Sequence, residues 1–221
     1  SVACGLFPGG NSARGMIDNS FALLREYLVS AKKEDYDFEY DQIVSTGEII
    51  SSKILSAYLN SAGIDNIWID ARSIIRTDNT YRDARIDWEK TVELVNDSMK
   101  FHKDRIYVTQ GFIGSTAENI TTTLGREGSD FSAAILAYSL DAEKVAIWKD
   151  VPGVLNADPK YFDDTIKIDQ LSYHDAIELA YYGASVIHPK TIKPLQNKKI
   201  PLWVKSFLHP KEKGTIIQND K

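Results

Sequence analysis

The chain reads as an α/β protein, a three-layer αβα sandwich around a mainly parallel central sheet. Two observations predict this. Short runs rich in β-branched and aromatic residues alternate with amphipathic stretches of helical period, and strands separated by helices pair in parallel under helices on both faces. Over 221 residues, 43% hydrophobic and 26% charged, the composition is that of an ordinary globular chain large enough for a substantial core. No repeat, low-complexity tract or linker breaks it, so one domain over residues 1–221 is expected.

Residues 1–20 follow no period, and Pro8-Gly9-Gly10-Asn11-Ser12 is a breaker cluster; this stretch is expected to be irregular. A helix is predicted over about 20–31, with Phe21, Leu23, Leu24, Tyr27 and Leu28 as its apolar stripe. A second, about 40–62, places Ile43, Ile50, Ile54, Leu55, Tyr58 and Leu59 on one side and stops at Gly63. Alternation then begins. A strand is predicted at 66–70, a helix at 88–101 and a strand at 105–109. A loop over 110–129 leads to a helix opening at Ser129 or Asp130, and a third strand follows at 144–148. Ser172-Tyr173-His174-Asp175 has the form of a capping box and opens a helix to residue 182. Another helix follows Pro189, and residues 200–204 make a fourth strand.

The net charge of −5 argues against nucleic acid as a partner. Cys4 is the only cysteine, which excludes an internal disulfide, and no secretory leader or apolar run of about 18 residues is visible. The expected compartment is the cytoplasm, with no membrane partner.

The most informative stretch is Leu124-Gly125-Arg126-Glu127-Gly128-Ser129-Asp130. A glycine-containing loop entering a helix N-terminus presents backbone N–H groups and the positive end of the helix dipole to an anion. Arg126 adds a fork suited to a carboxylate. By itself the stretch is equally an ordinary turn capped by Ser129 or Asp130. In parallel sheets, however, ligands gather at the carboxyl ends of strands. The stretches after Ile69, 110–114 and 149–153 leave the predicted strands at those ends, so the loops can converge on one site.

Six segments occur in order: Val44-Ser45-Thr46-Gly47-Glu48, Thr109-Gln110-Gly111-Phe112-Ile113-Gly114, Thr122 to Asp130, Trp148-Lys149-Asp150-Val151-Pro152-Gly153, Ala157-Asp158-Pro159, and Tyr182-Gly183-Ala184-Ser185-Val186-Ile187-His188-Pro189. Together they resemble the catalytic domain of aspartate kinases, members of the amino-acid kinase family, over roughly residues 40–217. The same domain is found in bifunctional aspartokinase–homoserine dehydrogenases. The resemblance implies the amino-acid kinase fold and phosphoryl transfer from ATP, with Mg²⁺, to the side-chain carboxylate of L-aspartate. The product would be 4-phospho-L-aspartate, at the first step of aspartate-family amino-acid biosynthesis. That chemistry suits the residues present, because a carboxylate with an ordinary pKa of about 3.9 is already ionised and needs no general base.

The resemblance also implies roles. Glu48 would contact the substrate ammonium, although such a residue is otherwise an exposed helix position. Gly111, Phe112 and Ser129 would lie beside the substrate, with Phe112 equally readable as a core aromatic. Arg126 would clamp a substrate carboxylate, a pair whose loss costs about 1.5–3 kcal/mol. Asp130 would organise the catalytic centre; as a mere cap it would contribute about 1 kcal/mol. Lys149, Asp150, Leu155, Lys160 and Ser185 fall on the nucleotide side. There the chain departs from its relatives: Lys149 replaces a common threonine, Leu155 a tyrosine, Lys160 an arginine and Ser185 a lysine. No metal ligand set is implied, and His188 reads as a packed residue.

The Lys-Phe-Gly-Gly-Thr-Ser strand that opens aspartokinases does not stand intact here. The expectation is therefore a form lacking the N-terminal strand region, poorly active alone and without the regulatory domains. Alternatives are a kinase of acetylglutamate, glutamate or UMP, and a non-catalytic ligand-binding domain of the same fold. A homodimer remains open.

Overall fold

The computed structural model describes residues 11–30, 35–101, 105–158, 161–181 and 186–219. The chain divides into two compact units, Ser1–Ser129 and Asp130–Lys221.

In the first unit helix α1 (Asn11–Ser30) takes in residues 11–20, expected to be irregular with the rest of 1–20; residues 1–10 of that expectation lie outside the described residues. Of the predicted breaker cluster only Asn11 and Ser12 are described, as the first residues of this helix, and after them only Gly15 is a poor helix former before Asp18. The expected apolar stripe is not a buried one: Phe21, Leu23 and Leu28 are exposed. Tyr27 is half-buried and donates from its hydroxyl to Glu39 Oε2 at 2.9 Å.

Helix α2 (Tyr36–Ser61) shows the larger surprise. Its predicted apolar side includes the exposed Ile43, Leu55 and Tyr58. The buried positions are Asp41, Ser45, Ser52 and Ser56, which recur at intervals of four and seven and so share a face. Small polar side chains there bond to side chains of the segments the helix packs on. Ser52 Oγ accepts from Trp68 Nε1 at 3.0 Å and from Gln110 Nε2 at 2.7 Å, and Ser56 Oγ donates to Asn66 Oδ1 at 2.6 Å.

Strands β1 (Asn66–Trp68) and β2 (Ile106–Val108) pair in parallel, Trp68 opposite Val108. Between them lie a short helix α3 (Ala71–Ile74) and α4 (Trp88–Ser98). Asp70 caps α3 by accepting from Arg72 N, and the Arg72 guanidinium grips the same carboxylate at 2.6 Å. Burial alone would raise the Asp70 carboxyl, but Arg72, helped by Lys53, holds it below the usual range. Residues 110–129 are not one loop. They contain a hairpin, β3 (Ile113–Ser115) antiparallel to β4 (Thr121–Thr123), with every strand residue buried. The Thr121–Thr123 run reads as polar, yet its hydroxyls are bonded internally: Thr122 Oγ1 lies 2.7 Å from Thr77 Oγ1.

The second unit is built on apolar packing. Helix α5 (Gly128–Ser139) leads to a four-stranded sheet of order β5-β7-β8-β6, comprising β5 (Val145–Lys149), β6 (Gln170–Ser172), β7 (Leu202–Ser206) and β8 (Thr215–Gln218). β5 with β7 and β6 with β8 are parallel; β7 with β8 is antiparallel. β6 and β8, only three and four residues long, carry too short a pattern to read from sequence. The core gathers Ala134, Val145, Ile147, Leu171, Ile192, Leu195, Leu202, Val204 and Ile217. β7 alternates buried Leu202, Val204 and Ser206 with half-buried Trp203 and Lys205.

Helix α6 (Tyr173–Tyr181) opens on the expected capping box: Asp175 N donates to Ser172 Oγ at 3.0 Å and Ser172 N to Asp175 Oδ2 at 3.3 Å. Burial pushes the Tyr173 hydroxyl up to about 12, and it donates to Ile200 O at 2.6 Å. Helix α7 (Pro189–Lys198) begins with proline in its first turn, and His188 Nδ1 accepts from Lys190 N at 3.2 Å. His188 is thus the N-cap of α7. Among the described residues no helix is long and apolar enough to cross a membrane.

Candidate active site

In the first unit two loops meet without room to spare. A Cβ on Gly111 would stand 2.8 Å from Ser129 Cα, and one on Gly128 would stand 2.7 Å from Phe112 Cδ2. Leu124 N donates to Phe112 O at 2.8 Å, closing the pair. Phe112 itself has φ +72°, a left-handed conformation that costs a bulky residue energy and marks a chain held by its surroundings. Gly111 and Phe112 are thereby brought against Ser129 and Gly128.

Polar side chains behind the loops explain the rigidity. Asp41 is fully buried and accepts from Thr123 Oγ1 at 2.6 Å, Thr123 N at 2.8 Å and Arg82 N at 3.0 Å. It thereby fixes β4, the strand that delivers the Gly125 loop. Gln110 Oε1 accepts from Ala71 N at 2.7 Å and pins the start of the other loop. Gly125 turns with φ +75°, where a Cβ would come within 2.6 Å of Asp83 Oδ1. Neither Asp41 nor the side chain of Gln110 was singled out from the sequence. The spacing of Asp41 with Ser45, Ser52 and Ser56 was the available signal, hidden because polar residues at helical period normally mark a solvated face.

On this scaffold Arg126 is exposed and makes no ion pair among the described residues, so its guanidinium is available to a ligand. Glu48 is half-buried on α2 rather than exposed, and burial raises its carboxyl above the ordinary range.

Helix α5 starts at Gly128, in the last residues of the first unit, so Ser129 and Asp130 lie inside its first turn and neither is the cap. Asp130 Oδ2 stands 2.8 Å from Lys149 Nζ, with both side chains largely buried. Asp150 is exposed beyond β5 and offers an oxygen donor of the hard type that Mg²⁺ takes. Leu155 is half-buried in an isolated bridge with Lys167. The loop before it is anchored to β8, because Val154 N donates to Thr215 Oγ1 at 2.9 Å and a Cβ on Gly153 would meet that oxygen at 2.5 Å. Lys160 and Ser185 lie outside the described residues. The cluster His174, Asp175 and Glu178 is exposed on α6, and Asp175 there serves the capping box.

Residues 6–206 match the amino acid kinase family. The chain belongs to that family. Among its relatives, the lysine-sensitive aspartokinase 3 of Escherichia coli (strain K12) is 37% identical over 180 residues, 81% of this chain and 40% of the relative. The chloroplastic bifunctional aspartokinase/homoserine dehydrogenase 1 of Arabidopsis thaliana is 36% identical over 208 residues, 91% of this chain and 22% of the relative. The crystal structure of E. coli aspartokinase III in complex with aspartate and ADP superposes with a TM-score of 0.89 at 33% identity, covering 96% of this chain and 47% of that one. Carbamate kinase from Giardia lamblia, at 11% identity and TM-score 0.55, shares the fold alone. The amino-acid kinase αβα fold expected from the sequence is thus the one present. This member of the family spans less than half the length of the relatives named from E. coli and Arabidopsis.

Proposed function

We propose that the chain is one amino-acid kinase domain, comprising both units, that transfers the γ-phosphoryl group of ATP to the side-chain carboxylate of L-aspartate. The observation that carries this reading is Arg126: an exposed guanidinium on a loop held by Gly111, Phe112 and the buried Asp41, followed at once by a helix N-terminus. The likeness to aspartokinases, one of them solved with aspartate and ADP, supports aspartate as the acceptor and a nucleotide as the donor.

The chemistry follows from charge. The aspartate carboxylate oxygen attacks phosphorus, the bond to the β-phosphate oxygen breaks, and ADP leaves with that electron pair. Two anions must be held in line, so cations and backbone N–H groups do the work of catalysis. Arg126 would hold a substrate carboxylate, Glu48 would accept from the substrate ammonium, and Gly111, Phe112 and Ser129 would wall that side. Lys149, Asp150, Leu155, Lys160 and Ser185 would serve the nucleotide side. Mg²⁺, which takes oxygen ligands, would neutralise the phosphates, with Asp150 as the exposed carboxylate suited to it. We place this chemistry in the cytoplasm.

Binding and turnover test the proposal. Calorimetry with L-aspartate and trapping of the acyl phosphate as a hydroxamate should show selectivity for aspartate over glutamate, acetylglutamate and UMP. Arg126→Ala should weaken aspartate binding about 10- to 100-fold, the loss of one charge-assisted pair. Preference for another acceptor, or an unchanged affinity in Arg126→Ala, would overturn it.

A further inference from the structure

Lys149 stands in an unusual place for a lysine. Along β5, Val145 and Ile147 are buried while Ala146 and Trp148 are exposed, so strand parity puts Lys149 on the inward face. Its backbone has no latitude, since Lys149 pairs with Ser206 and its carbonyl accepts from Phe207 N at 3.0 Å. A cation held in that register needs a counter-charge. Asp130 supplies it at 2.8 Å, with side-chain exposures of 23% for the lysine and 15% for the aspartate. No other ion pair among the described residues is as buried on both sides. The neighbouring strand's Lys205 lies over the Trp148 ring at 4.9 Å and is committed elsewhere.

The pairing matters because of what the proposed site must accept. A nucleoside diphosphate or triphosphate is a polyanion, and an isolated carboxylate in a half-desolvated setting would repel it. We propose that Lys149 is a positioning residue that neutralises Asp130 and holds its carboxylate against the first turn of α5, so that a nucleotide polyphosphate can bind in this unit. The inference rests on the nucleotide-side reading above. It assigns Lys149 a role exerted through Asp130, not a direct grip on the phosphates.

Calorimetric titration with MgADP tests it, because the two roles predict different double variants. Lys149→Met should bind MgADP about tenfold more weakly, and Lys149→Arg, which keeps the charge, should stay within about twofold of the unsubstituted chain. The double variant Asp130→Asn/Lys149→Met removes both charges and should recover to within about threefold. Should Lys149→Met alone fail to fold, the uncharged double variant against the unsubstituted chain decides the matter by the same threefold criterion. Unchanged affinity in Lys149→Met, or a double variant as weak as that single one, overturns the inference while leaving the nucleotide site standing. No MgADP binding by the unsubstituted chain overturns the nucleotide-side reading and this inference with it.

Discussion

The two units hold their functional loops by different physics. In Ser1–Ser129 the strands are three residues long, and the loops at Gly111 and Gly125 are fastened by buried polar side chains: Asp41 to β4, Gln110 to Ala71, Ser52 to Gln110. In Asp130–Lys221 two strands reach five residues and an apolar cluster packs on the sheet, with a buried hydroxyl, Thr215 Oγ1, fastening the loop at Val154. The difference has consequences. A hydrogen-bonded scaffold fixes direction and distance, which a loop presenting Arg126 requires, but it fails sharply when one partner is lost. An apolar core is more forgiving of direction and sensitive chiefly to volume.

The contrast can be broken first at Asp41. Asp41→Ala strands three donors in a buried place and should cost about 3–5 kcal/mol, seen in urea unfolding. Hydrogen exchange should accelerate in β3 and β4 before it does in β5 and β7. Equal acceleration in both units would show that Asp41 is not a local fastener. Next, Leu202→Ala, at a fully buried position of β7, should cost about 3 kcal/mol. Its exchange signature should be the reverse, confined to the second unit's sheet.

The smallest effect sharpens the comparison through pH. Because burial raises the Glu48 carboxyl in the folded state, the folded chain binds that proton more tightly than the unfolded chain does. The contribution of Glu48 is therefore fully present below its unfolded pKa and is lost as pH rises through the folded value. Glu48→Gln should melt at a higher temperature than the unsubstituted chain at pH 8, with the gap closing toward pH 4. A gap that does not vary with pH would show that Glu48 is not desolvated.

Much of the second unit was legible in the sequence, for a physical reason. β5, α6 and α7 announce themselves through short-range rules: alternation in 145–148, a capping box at Ser172 and Asp175, proline in the first turn at 189. The first unit resisted. Its β3–β4 hairpin is written in threonines, and α2 buries Asp41 and serines while exposing Ile43 and Leu55, so hydrophobic period pointed to the wrong face. The polar residues there are buried because partners distant in sequence satisfy them, and no local window contains those partners.

The candidate site divides in the same way. Residue order alone determined the family likeness, the anion-suited loop at Gly125 to Asp130 and the identity of Arg126 as its cation. Only the tertiary structure decided that Asp41, 82 residues before Thr123, secures that loop, and that Lys149 turns inward to Asp130. A motif is a run of neighbours and survives in the sequence. A hydrogen bond or ion pair between distant residues depends on where folding brings them, and exists only once the chain has folded.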